Sequence, residues 1–333
     1  MKRVPLLASA VAIGLSACGG GSGGDPAIQP PPPGGTQTPL TVTTNNAKSA
    51  VRVAYNATSV SMETGDMIGG PGVVSAPGGL QKPAAPTGFP VFIDIVMQKI
   101  PITDVTGCGL DGTTGTQTTT IDFATPGTLT GGDTMVIAFD NCDQGLGEVL
   151  NGRMEMTLVT FSGDLLVTGL YQLEMEVQLV NFQVTTALDD ILQNGDSTVT
   201  LDNTGMPMVS ISISGNSLAT VTNTSTQIIT DFSTSQSIDT SVFPEPYTMD
   251  TSGTVDSTEL GGMIDYTTPV TFQGAGDGYP FAGELLVVGA NNASIRLVAL
   301  DDVNVRIDTD TDGDNVVDNS ETTTWDDIAL QLP

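Results

Sequence analysis

The nine residues "YQLEMEVQL" place Tyr171, Leu173, Met175, Val177 and Leu179 on one side and Gln172, Glu174, Glu176 and Gln178 on the other. A period of two separates apolar from polar side chains only if the backbone is extended, because successive side chains of a strand point to opposite faces. "VSISISG" repeats the device with Val209, Ile211 and Ile213 against Ser210, Ser212 and Ser214. Similar segments recur from Thr118 onward, among them "DTMVIAF", "RMEMTLVTF", "DSTVTL", "STQIITDF", "YTMDTSGTVDS", "GMIDYTTPVTF", "GELLVVG", "ASIRLVAL" and "NVRID", separated by Gly, Asn and Asp turns. One apolar and one polar face per strand, with short turns between, predicts a mainly β fold: an antiparallel meander, built as a sandwich or as a strongly curved sheet or half-barrel.

The residues before this region read differently. In "NNAKSAVRVAYNATSVSM" the residues Ala47, Ala50, Val51, Ala54, Ala57 and Thr58 fall at helical spacing, with Thr44 or Asn45 available as a cap, so an amphipathic helix is expected. "GFPVFIDIVMQKI" fits a helical stripe or a strand, and Pro90 in a first-turn position favours a second short helix. One or two short helices would thus pack on the sheet.

The amino end carries an address. "MKRVPLLASAVAIGLSA" has a basic start, an uncharged apolar run and small residues, which is a secretory signal too short for a stable transmembrane span. Leu15, Ser16, Ala17 and Cys18 resemble a bacterial lipobox, in which Cys18 would be lipidated and become the first mature residue. "GGGSGGDPAIQPPPPGGTQTP" then reads as a tether, flexible where Gly-rich and extended where Pro-rich. The expected organisation is a signal peptide at 1–17, lipidated cysteine and tether at 18–42, a helical and loop part at 43–107, and the β domain at 108–333.

Charge and cysteine content narrow the partners. The net charge is −29, with 38 acidic and nine basic residues, and removal of the signal peptide takes away Lys2 and Arg3 and no acid, giving −31. Phosphate contacts need basic patches, so nucleic acid is not an expected partner. The membrane contact would run through the N-terminal lipid, leaving a protein or a hydrophobic ligand as the remaining kinds of partner. An exported compartment is oxidising, and Cys108 and Cys142 are the two cysteines left over, so they are expected to form a disulfide.

The chain has no histidine, which excludes Ser-His-Asp and Cys-His catalysis and histidine-ligated metals within one chain. Carboxylate pairs as used in glycoside cleavage remain, with Asp189 and Asp190, Glu174 and Glu176, or Asp326 and Asp327 as candidates, but one tryptophan and five tyrosines give few rings for sugar stacking. Met154 with Met156, and Met206 with Met208, have the spacing of soft Cu(I) sites; residues two apart on a strand share a face, so core packing is expected of both pairs. A Met-lined concave sheet would alternatively suit a carrier of lipid or another hydrophobic ligand.

One stretch converges on a definite chemistry, "DTDGDNVVDNSE". An EF-hand-type loop takes oxygen ligands from positions one, three, five, seven and nine and a bidentate acid at twelve. Starting at Asp310 supplies Asp312, Asp314, the Val316 carbonyl, Asp318 and Glu321 in those places, with Val317 turned inward at eight. Starting at Asp308 would put Gly313 at the turn but Asn319 at twelve, without the acid. The first register makes calcium the expected ion, in a structural role, even though position six is Asn315 and a strand-like segment leads in.

As a whole the chain resembles a group of Gram-negative β-rich lipoproteins, through the lipobox, the Ala-rich helix, "GCG" followed by "FDNC", the "VLNGRMEM" strand and the closing "GANNASIRLVALDDVNVRIDTDTDGDNVVD…TTW". The resemblance implies a β-rich exported domain and, with Gly19 after the lipidated cysteine, placement at the outer membrane. It supplies no activity. The resulting expectation is a lipid-anchored envelope protein that binds or builds rather than catalyses.

Overall fold

The computed structural model describes residues 38–69, 102–108, 114–125, 128–143, 148–164, 168–186, 190–276 and 278–329. Fourteen strands form one antiparallel sheet in which every strand pairs with its neighbours in sequence, and the sheet is not closed. They run β1 Ile102–Gly107, β2 Thr116–Asp122, β3 Thr134–Asp143, β4 Val149–Asp164, β5 Leu170–Thr185, β6 Asp190–Asp202, β7 Met208–Val221, β8 Thr226–Asp239, β9 Pro246–Ser257, β10 Gly262–Ala275, β11 Ala282–Val288, β12 Ser294–Ala299, β13 Asn304–Asp310 and β14 Asn319–Thr324. The meander expected from the alternation is therefore present, as a single sheet and not as two sheets of a sandwich. The sheet also takes in β1, from the part read as helix and loop. The segment around Pro90 lies outside the described residues.

One helix, α1 Ala47–Gly69, lies on the apolar face. Lys48 reaches Thr323 on β14, Thr58 hydrogen-bonds Thr251 on β9, and Ser61 meets Thr234 on β8. The helix thus crosses the strands instead of running along them. Ala47, Ala50, Val51, Ala54, Ala57 and Thr58, the stripe read from the sequence, are all buried, and their small size lets the helix approach the sheet closely. The helix start differs from expectation: Thr43 and Asn46 cap each other reciprocally, with Thr43 N donating to Asn46 Oδ1 at 2.8 Å and Asn46 N to Thr43 Oγ1 at 3.3 Å, and the Asn46 carbonyl accepts from Ala50 N. Thr44 and Asn45 are left inside the turn.

Long strands would twist apart over such a width unless bent. Asn141, Asn181 and Asp231, all at φ near 48°, sit at register shifts in β3–β4, β5–β6 and β8–β9. Such bulges bend a strand and sharpen its twist, the means by which a wide sheet curves. The Asn141 and Asn181 amides freed from the ladder are satisfied by side chains of the adjacent strands, Asn151 Oδ1 at 2.9 Å and Asn194 Oδ1 at 2.7 Å. A bulge also changes which alternate residue faces in: on β5 the buried set is Leu173, Met175, Val177 and Leu179, then Val180 at the bulge, then Phe182 and Val184 after it. The disulfide forms between Cys108 and Cys142, with Cα atoms 5.2 Å apart, tying the β1–β2 connection to the end of β3.

Candidate metal centre

The aspartate-rich loop begins where β13 ends. Asp310 closes β13, pairs with Ser294 of β12 and is 5% exposed, so its carboxylate is held between strand and loop. Its Oδ1 accepts from Gly313 N and its Oδ2 from Asn315 N, each at 2.8 Å. Asp312 Oδ1 accepts from Asp314 N at 3.2 Å, and Asp314 Oδ1 from Val316 N at 2.8 Å. Aspartates satisfying backbone N–H groups two to five residues on are what winds this loop.

The backbone explains two residue choices. Gly313 and Asn315 have φ of 78° and 66°, the left-handed region that glycine and asparagine enter most readily. Gly313 is further constrained, since a Cβ there would lie 2.4 Å from the carbonyl oxygen of Asn291 in the β11–β12 turn. That turn is itself tied to the segment before α1, where Ala290 N donates to the Leu40 carbonyl at 2.7 Å. The loop therefore rests on a fixed shelf.

Asp310, Asp312 and Asp314 bring one carboxylate oxygen each to within 4.8 Å of one another. Three like charges at this separation repel, and a cation between them removes the penalty. An all-oxygen set suits hard ions such as calcium or magnesium.

Two of the other expected ligands, Asp318 and Glu321, fall outside this group of carboxylates. Asp318 Oδ2 accepts from Thr311 N at 2.8 Å and from Thr311 Oγ1 at 2.5 Å, and these bonds, side chain first, hold its carboxyl below the usual aspartate range. It staples the two ends of the loop and falls outside the group of three. Glu321 lies on β14 opposite Ile307, exposed, because strand pairing resumes at Thr309 and Asn319 and draws the following residues into the ladder. A twelve-residue loop overruns the hairpin by these three positions. Val317, expected to pack inward, is 53% exposed, and Val316 is 62% exposed.

Of the alternative carboxylate pairs, Glu174 with Glu176 and Asp326 with Asp327 lie wholly within the described residues. Glu174 and Glu176 sit on the polar face of β5 opposite Thr200 and Thr198. Asp326 accepts from the Tyr279 hydroxyl at 3.2 Å, and Asp327 accepts from Thr323 Oγ1 at 2.6 Å and pairs with Lys48 at 3.4 Å. Asp189 lies outside the described residues. Of the methionine pairs, Met154 and Met156 are buried in the core as expected, whereas Met206 and Met208 flank the β6–β7 turn at 52% and 42% exposure. Met206 lies in the turn and Met208 is the first residue of β7, so the two do not share an inward strand face.

No family model matches the chain, and no curated protein or solved structure is similar to it. Fold and site define an open antiparallel meander with an aspartate-wound loop at one end, and its function rests on its own residues.

Proposed function

We infer that this is an exported, lipid-anchored envelope protein, a non-enzymatic binding or structural module whose terminal hairpin carries a structural calcium ion. The observation that carries the calcium reading is the convergence of Asp310, Asp312 and Asp314 on one point of a loop whose left-handed positions are filled by Gly313 and Asn315. The anchor reading rests on Leu15 to Cys18 and the Gly/Pro-rich stretch after them. A module is favoured over a lipid carrier by the strand methionines: Met135, Met154, Met156, Met175 and Met249 are buried in one continuous apolar cluster with residues of α1 and the neighbouring strands. Packed methionine fills core space that a carried acyl chain would otherwise need.

Two experiments test the two halves separately. Cys18→Ser is expected to move the protein from the membrane fraction to the soluble one; a variant that still pellets after a salt wash removes the lipid anchor from the account. Calcium is expected to raise the melting temperature of the intact chain beyond what sodium or magnesium does at equal ionic strength, and equal responses remove the ion.

A further inference from the structure

In an antiparallel meander every second turn lies at the same end of the sheet. The β6–β7, β8–β9, β10–β11 and β12–β13 turns share the end opposite the aspartate-wound loop. These four turns expose Met206, Met208, Val242, Phe243, Phe281, Leu300 and Val303, with Phe243 at 88% exposure. Most of the large apolar side chains that the described residues leave exposed are thus collected on one rim. Exposed apolar residues scattered over a surface need no explanation, whereas their concentration at one end of a sheet points to an interaction site.

The rim is built, not incidental. Pro207 O accepts from Thr240 N at 3.0 Å and Thr240 Oγ1 at 2.8 Å, joining the first two turns. Gly276 N donates to Glu245 O at 2.8 Å, joining the second to the third. Trp325 Nε1 donates to Pro280 O at 3.0 Å and to Asp301 O at 3.1 Å, joining the third to the fourth. Three of the tips also have proline beside the exposed residue, as Met206-Pro207, Phe243-Pro244 and Pro280-Phe281. Proline fixes its own φ and narrows the backbone choices of the residue before it, so less of the backbone at these tips is left to order on binding. Six strand spacings separate the first turn from the last, roughly 30 Å, the span of a standard-size protein interface.

Charge decides the occupant. Asp202, Asp239 and Glu245 lie at the bases of the first two turns and Asp301 and Asp302 within the last, and the turn segments contain no lysine or arginine. Asp202, Asp239 and Asp301 each accept backbone N–H bonds within or beside their own turn, fixing negative charge among the apolar tips. An anionic bilayer and a second copy of this acidic chain would both be repelled. A protein surface with apolar sockets rimmed by lysine or arginine matches both features.

We propose that the rim formed by the β6–β7, β8–β9, β10–β11 and β12–β13 turns is a docking surface for another protein, one whose complementary face is apolar at its centre and basic at its edge. This is independent of the calcium and lipid-anchor readings, since none of the rim residues belongs to either.

The test places a photoreactive p-benzoylphenylalanine at Phe243, at Phe281, and at Ser235 on the polar face as a control, in the intact chain made in its native cells. The expected result is one discrete adduct of the same mass at both rim positions and none at Ser235. The protein in that adduct, purified, is expected to bind the wild-type chain with affinity that falls as salt rises, and at least tenfold more weakly when Met206→Ser and Phe243→Ser are combined. Both residues are exposed, so the double variant should melt within a few degrees of the parent, which separates lost docking from lost folding. Adducts with lipid, a self-linked dimer, equal labelling at Ser235, or partner binding indifferent to the double variant would each overturn the proposal.

Discussion

The indole ring of Trp325 stands 5.0 Å, centroid to centroid, from the ring of Tyr55, so the last described turn of the chain closes directly on the helix near its beginning. Both residues are buried, and Phe272 and Tyr279 complete the cluster at 6.1 Å and 5.6 Å from the indole. With its N–H shared between Pro280 O and Asp301 O, the single tryptophan links helix, β10 and two turns. Burial also pushes the Tyr55 hydroxyl well above its usual range, so it is neutral at any ordinary pH.

Trp325→Ala should accordingly cost about 3–5 kcal/mol, the usual range for emptying a large aromatic site in a core. Urea unfolding followed by circular dichroism reads it as a drop in midpoint. A loss below about 1 kcal/mol would mean that the C-terminal turn is not part of the cooperative core.

The Cys108–Cys142 bridge closes a separation of 34 residues. In the chain-entropy account such a loop stabilises by roughly 3–4 kcal/mol, through the unfolded state. Its location matters as well: β1 is an edge strand whose Thr103–Gly107 stretch is exposed, so few apolar contacts hold it. Replacing both cysteines by serine should therefore speed amide exchange in β1 and β2 far more than in β7 to β10. Uniform acceleration across the sheet would show a global effect only.

The strands were legible because each keeps one face in and one face out, and a run such as Val209 to Ser214 writes that pattern directly into residue order. The edge strands β1, "ITDVTG", and β14, "NSETTT", were not, because an edge strand exposed on both faces has no apolar face to alternate. The same blindness lengthens the loop that residue spacing predicts. Spacing alone carries no signal for β14 and so reaches Glu321, whereas pairing of Thr309 with Asn319 ends the loop at Asp318. Asp310, Asp312 and Asp314 survived because their spacing acts within the loop itself, whereas the shelf formed by Asn291 is a contact between distant turns that no local spacing reveals.

Acid should expose the turn aspartates. Asp202, held by Thr204, Asp239, held by Ser241, Asp301, held by Asn304 and Val303, Asp318, held by Thr311, and Asp327, held by Thr323 and Lys48, all have carboxyls depressed by these hydrogen bonds. A pKa lower in the folded than in the unfolded state means that the unfolded chain binds protons first. The contribution is then complete above the unfolded value of about 3.9 and is lost as pH falls through the lower folded values. The urea midpoint should be nearly flat from about pH 7 to about pH 5 and fall below about pH 4. Asp239→Asn should make that fall shallower, and a steeper one would reverse the assigned sign.

The aspartate loop offers the sharpest contrast between residues. Asp312 and Asp314 bring exposed carboxylates to the shared point, Asp310 both contributes there and holds Gly313 N and Asn315 N, and Glu321 stands apart on β14. Calcium sites of extracellular modules have dissociation constants of roughly 0.1 to 1 mM, so ~1 mM calcium against ~0.1 mM should stabilise by about 1.4 kcal/mol. In a chain of this size that is a rise of about 3 °C in melting temperature. Asp312→Asn removes charge from the shared point and should abolish most of the rise while leaving the calcium-free protein as stable or slightly more stable, because one like-charge repulsion goes with it. Asp310→Asn should lower the calcium-free melting temperature too, since its oxygens wind the loop. Glu321→Gln should keep the full rise. A rise lost in the Glu321 variant and kept in the Asp312 variant would restore the twelve-residue register and show that β14 opens when the ion binds.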